Sequence, residues 1–134
     1  QLSVQIDHTL YFNANDGHTG SELWAHDLAH GHTWQVADIR QGNTSLPGQT
    51  LSTVIGDTLY FSANDGVSGT ELWAHSTATG HTWMLTDVFS GANGSAPGAY
   101  FELVVGDALY FSAKDEASGV ELWRMTMEHT ILYG

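Results

Sequence analysis

The chain has 134 residues, no cysteine, and fifteen acidic against three basic residues, giving a formal net charge of −12. That length suits one domain, 1–134, with its own core, and the lack of cysteine excludes disulfide staples, thiolate metal sites and a cysteine nucleophile. The acidity repels phosphate backbones and anionic headgroups, which excludes nucleic acid as a partner, and no apolar run is long enough to insert into a membrane.

The predicted elements are short strands, and they recur. Leu10-Tyr11-Phe12 returns as Leu59-Tyr60-Phe61 and Leu109-Tyr110-Phe111, at spacings of 49 and 50 residues. Glu22-Leu23-Trp24, Glu71-Leu72-Trp73 and Glu121-Leu122-Trp123 repeat at the same two spacings, so the register holds within each unit. The first two units also share Gly31-His32-Thr33-Trp34 with Gly80-His81-Thr82-Trp83, and Pro47-Gly48 with Pro97-Gly98. The extra residue of the second period falls in the glycine-rich loop, Gly42 to Gly48 against Gly91 to Gly98, where an insertion meets least resistance.

Each unit reads as four strands. In the second, 51–55 precedes a Gly56-Asp57 turn, then 58–63, a loop at Asp65-Gly66, 71–75, a turn at 78–80, and 81–88. These runs are aromatic and β-branched and are bounded by Gly, Asn and Asp, which is the pattern of an antiparallel meander with no helical period. The third unit begins at Phe101 and has a shorter last hairpin: Trp123 to His129 is six positions where Trp73 to His81 is eight, and 131–133 supplies a brief final strand. The predicted fold is all-β and β-propeller-like, with three four-stranded antiparallel blades at about 2–50, 51–100 and 101–134. Three blades do not close a ring, so closure calls for another copy or for more blades in the same polypeptide. An opening at Gln1 without a charged, apolar leader fits a processed chain or a fragment. Abundant Gly, Ser, Thr and Asn with almost no Lys point to an extracellular or cell-surface location.

The segment 59–66 through Gly69-Thr70-Glu71-Leu72-Trp73 resembles the ELWxxDGT repeat of large secreted and cell-surface bacterial proteins. All three units match its first half, and the Asp-Gly-Thr part becomes Asp27-Leu28-Ala29 and Ser76-Thr77-Ala78 in the first two. A second resemblance crosses the same residues. Ala14, Asp16, Thr19, Gly20 and Trp24 are similar to the Ala-x-Asp-x-x-Thr-Gly-x-x-x-Trp docking motif of quinoprotein propeller blades. Ala63, Asp65, Ser68, Gly69 and Trp73, and then Ala113, Asp115, Ser118, Gly119 and Trp123, follow with Ser for Thr. That resemblance implies a structural role in which the indole lies between neighbouring blades. It does not extend to a quinone cofactor or its catalytic carboxylate.

Four groups of residues bear on chemistry. Exposed indoles beside polar residues grip sugar rings, which makes Trp34 and Trp83 with Asn15 and Asn64 candidate glycan-binding residues. Asp16 with Glu22 and Asp65 with Glu71 put hard oxygen donors around tight loops and are candidate calcium ligands, although the spacing is not that of an EF-hand and the same residues suit turns. The third copy has Lys114 and Glu116 where its predecessors have Asn and Gly. His26, His30 and His32, echoed by His75 and His81, lie on hairpins where imidazoles bind metal or titrate, but Met125 breaks the repeat. Asn43-Thr44-Ser45 and Asn93-Gly94-Ser95 are sequons in equivalent loops, making Asn43 and Asn93 candidate glycosylation sites.

With no nucleophile elbow, phosphate loop or catalytic carboxylate pair, the expected function is non-enzymatic and needs no cofactor, with calcium the exception to test. The expectation is a structural or adhesive repeat protein that partners itself through open blade edges to make a ring or filament. The alternative is a carbohydrate-binding propeller lectin with sites between blades.

Overall fold

The computed structural model describes residues 2–40, 43–86, 94–115, 119–126 and 131–133. The chain is all-β and forms three antiparallel sheets, each a simple four-stranded meander. The first holds β1 (Ser3–Ile6), β2 (Thr9–Asn15), β3 (Ser21–Asp27) and β4 (Thr33–Ala37). The second holds β5 (Ser52–Ile55), β6 (Thr58–Asn64), β7 (Thr70–Ser76) and β8 (Thr82–Thr86). The third holds β9 (Glu102–Val105), β10 (Ala108–Asp115), β11 (Gly119–Met125) and β12 (Ile131–Tyr133). Two-residue turns join the first pair of strands in each sheet, at 7–8, 56–57 and 106–107, and Asp7, Gly56 and Gly106 adopt the positive φ that such turns require.

Register makes the sheets equivalent. Phe12 pairs with Trp24, Phe61 with Trp73 and Phe111 with Trp123. Both complete β3–β4 type pairings carry the same irregularity, just before Trp24 and just before Trp73.

Alternation then gives each sheet two faces, and stacking covers both faces of the second sheet and one face each of the first and third. Tyr11, Leu23 and Ala25 of the first sheet pack with Leu59, Phe61 and Ala63 of the second, with Trp73 at the margin. Tyr60, Leu72 and Ala74, from the opposite face of the second sheet, pack with Leu109, Phe111 and Ala113 of the third, with Trp83 and Trp123 alongside. β6 is consequently buried over six successive residues, 58–63, because its odd and even positions serve different cores. Among the described residues there is no helix long and apolar enough to cross a membrane.

Candidate functional site: the joint between sheets

The polar residues picked out by their repetition converge on one place, the segment that carries the chain from one sheet to the next. Between β4 and β5 the chain runs as a strap over both sheets. The N–H of Ser45 donates to the carbonyl of Ser21 at 3.0 Å, and the carbonyl of Ser45 accepts from Asn64 N–H at 2.8 Å. Further on, Gly48 N–H reaches the Ser62 carbonyl, and the Ser62 hydroxyl accepts from the N–H groups of Thr50 (2.9 Å) and Leu51 (3.2 Å). The next joint repeats these bonds with Ser95, Thr70, Lys114, Gly98 and Ser112.

Under the strap lies the glutamate of the first two Glu-Leu-Trp motifs. The Glu22 carboxylate is fully buried and accepts hydrogen bonds from the Ser45 hydroxyl (2.6 Å), Ile39 N–H (3.0 Å) and Arg40 N–H (3.2 Å). Glu71 is equally buried and accepts from the Ser95 hydroxyl at 2.5 Å. Burial pushes the Glu22 carboxyl above the usual carboxylate range against the opposing pull of these donors. Its oxygens are thus engaged by the protein's own donors, and Glu22 and Glu71 act as clamps on the strap.

The loop aspartates are occupied separately. Asp16 accepts from the N–H groups of Thr19 and His18, both at 2.8 Å, and from the Thr19 hydroxyl at 3.0 Å. The Thr19 N–H, seconded by that of His18, holds its carboxyl below the usual value. Asp65 repeats the arrangement with Val67 N–H and Ser68 N–H at 2.8 and 2.7 Å. No group of three or more acidic or histidine side chains disposed to hold a metal occurs among the described residues, and the candidate calcium pairs form no such group.

The glycines of the docking motif explain how closely the strap passes. A Cβ on Gly20 would lie 2.5 Å from the backbone of Asn43 and Thr44, and one on Gly94 would lie 2.3 Å from Thr70 N. Gly20, Gly69 and Gly119 all have positive φ, but among the described residues nothing lies within 4 Å of a Cβ placed on Gly119. Glu121, the third counterpart, is only half-buried.

Of the tryptophans, Trp73 and Trp123 lie at the two intersheet cores, whereas Trp24, by its pairing with Phe12, lies on the face of the first sheet turned away from the second. The indole N–H groups of Trp24 and Trp73 are buried without an acceptor among the described residues. The glycan candidates are not gathered. Trp34 pairs with Ala25 near one end of the first sheet, while Asn15 sits at the other end of β2 and accepts from Gly17 N–H at 2.8 Å. Asn64 makes the same turn with Gly66 N–H, and Trp83 is packed against the second core. Trp34 alone offers an open indole, 42 % exposed.

His26 and His75 each place Nδ1 against a threonine hydroxyl across the hairpin, at 2.7 Å to Thr33 and 2.8 Å to Thr82. His75 also meets the Tyr11 ring at a centroid distance of 5.4 Å across the first interface, and burial lowers its pKa.

The sequons acquire a second meaning here. Asn43 is exposed, but the hydroxyl that completes its sequon is that of Ser45, which is buried against Glu22. Asn93 and Ser118 lie outside the described residues; Ser95, two residues beyond Asn93, holds Glu71 in the same way. The sequence signal that marked these loops is the clamp serine, which motif matching had no means to separate from a glycosylation acceptor.

These residues define a tandem array of stacked meanders pinned by buried carboxylates. No protein-family model matches the chain, and no curated protein sequence matches it.

Proposed function

We infer that this is a non-enzymatic structural or adhesive repeat protein of the cell surface or extracellular space, whose sheets act as propeller-like blades and whose copies associate through their open blade edges and ends into a ring or filament. The observation that carries this reading is the use made of its polar repeats. The repeated Asp, Glu, Ser and Gly residues are spent on turns and on the intersheet strap, which leaves stacking, rather than a constellation of reactive groups, as what the repeat maintains. The outer face of the third sheet leaves Leu103, Val105 and Leu122 exposed, and uncovered apolar surface drives association of this kind.

Light scattering on the purified chain across a range of concentrations, with negative-stain imaging, tests the reading. A discrete oligomer or a polymer is expected, and a monomer at every concentration would overturn it. A carbohydrate-binding role draws support from the exposed Trp34 indole, and loss of glycan-array signal in Trp34→Ala is the result that would favour it.

A further inference from the structure

The two internal interfaces are one interface used twice. In each, a Tyr-Leu-Ala face of one sheet lies on a Leu-Phe-Ala face of the next: Tyr11, Leu23 and Ala25 on Leu59, Phe61 and Ala63, then Tyr60, Leu72 and Ala74 on Leu109, Phe111 and Ala113. Register leaves one further copy of each face. Leu10, Phe12 and Ala14 occupy the side of the first sheet turned away from the second. Tyr110 and Leu122 occupy the side of the third sheet turned away from the second, with Arg124 in place of the alanine. The latter face is open, with Leu122 42 %, Leu103 52 % and Val105 55 % exposed.

We propose that the outer face of the third sheet receives the outer face of the first sheet of a second copy of this chain, in the arrangement of the two internal interfaces. This rests on the self-association reading above and moves its contact from sheet edges to sheet faces. The unfilled faces are the two halves of an interface the chain already builds twice, so each matches the other and neither matches itself. The contact is therefore heterologous: every copy keeps one face of each kind, and growth continues until rotation closes the array or leaves it open. Charge agrees with this pairing. Two of the three cationic residues, Lys114 and Arg124, register on the third sheet's outer face, at positions that are Asn64 and Ala74 in the second sheet. No cation registers on the first sheet's outer face. On a chain of net charge −12, positive charge is placed where an acidic copy must approach without a covalent tether.

The test uses two full-length variants, Phe12→Arg and Leu122→Arg, each of which spoils one face while reducing the net negative charge. Alone, each is expected to remain monomeric in light scattering at concentrations where the parent chain assembles, with association weakened by at least about tenfold. Mixed in equal amounts they should form a one-to-one dimer and nothing larger, because the mixture holds one intact face of each kind. Ser3→Arg and Leu103→Arg address the same two faces if circular dichroism shows either first choice misfolded. Variants that assemble like the parent would place the contact on the edges, overturning this inference and leaving self-association standing. A mixture that stays monomeric would overturn the heterologous geometry. A parent chain that never assembles would overturn both.

Discussion

Leu72 and Leu122 hold the same place in β7 and β11, opposite Ser62 and Ser112 of the neighbouring strand, yet Leu72 is fully buried and Leu122 is largely open to solvent. The second sheet is enclosed on both faces, while the first and third each keep one face uncovered. The same contrast runs through the polar residues: Glu22 and Glu71 are fully buried beneath a strap, and Glu121 is only half-buried. Residue identity in this repeat therefore encodes a capacity for contact, and position along the array decides whether the contact is made. The matched pairs let that principle be broken residue by residue.

The largest effect is expected in the enclosed sheet. Phe61→Ala removes a fully buried ring between two sheets and should cost about 3–5 kcal/mol, against roughly 1 kcal/mol for Phe12→Ala on the uncovered face. Equal losses in urea unfolding would show that the end sheet is as enclosed as the middle one. Next come the clamps. Glu22→Ala strands the N–H groups of Ile39 and Arg40 and leaves the Ser45 hydroxyl only its longer bond to the Ser21 carbonyl, and should cost about 2–3 kcal/mol, while Glu121→Ala should cost less than about 1 kcal/mol. Thermal melts of the two variants give the comparison directly.

Glycine separates two effects that usually travel together. Gly119→Ala meets only the strain of positive φ, about 1 kcal/mol, whereas Gly20→Ala must also displace the strap and should exceed about 2 kcal/mol. A difference near zero would mean that the strap yields freely. The smallest effect is one of pH. Burial depresses the pKa of His75 in the folded chain, so unfolding takes up a proton below the ordinary imidazole value of 6.5. The stabilisation by its neutral form is intact above that pH and is lost as pH falls through the depressed value. His75→Asn should flatten this part of the stability profile, as thermal melts between pH 5 and 8 would show.

The strands were legible because their signal is local. Short aromatic and β-branched runs and the Gly56-Asp57 turn place the second unit's strands within a residue or two of β5 to β8, with 87 and 88 of the last predicted strand lying outside the described residues. Trp73 and Trp123 pack half-buried against the two intersheet cores while Trp24 lies on the first sheet's outer face, a difference the sequence could not carry because terminal and internal copies of the motif read alike. The glutamates were read as cation ligands because carboxylates near a turn look the same whichever donors they serve. Their partners lie 17 to 24 residues away, beyond any local pattern, and only the fold brings Ser45 onto Glu22. The recurrence of a serine 23 and then 24 residues after a glutamate in the two joints is the available clue, and the same serines complete the sequons.

The strap also determines how this array would carry a load. Tension applied along the chain passes from one sheet to the next through Ser45 and Ser95 and the carboxylates behind them before it reaches any strand ladder. Each joint is then a latch in series with a spring. Once a latch opens, the length released is that of one repeat, 49 or 50 residues, or about 17 nm of extended polypeptide at roughly 3.4 Å per residue. Stretched from its ends, such a molecule would lengthen in equal steps and take up energy unit by unit.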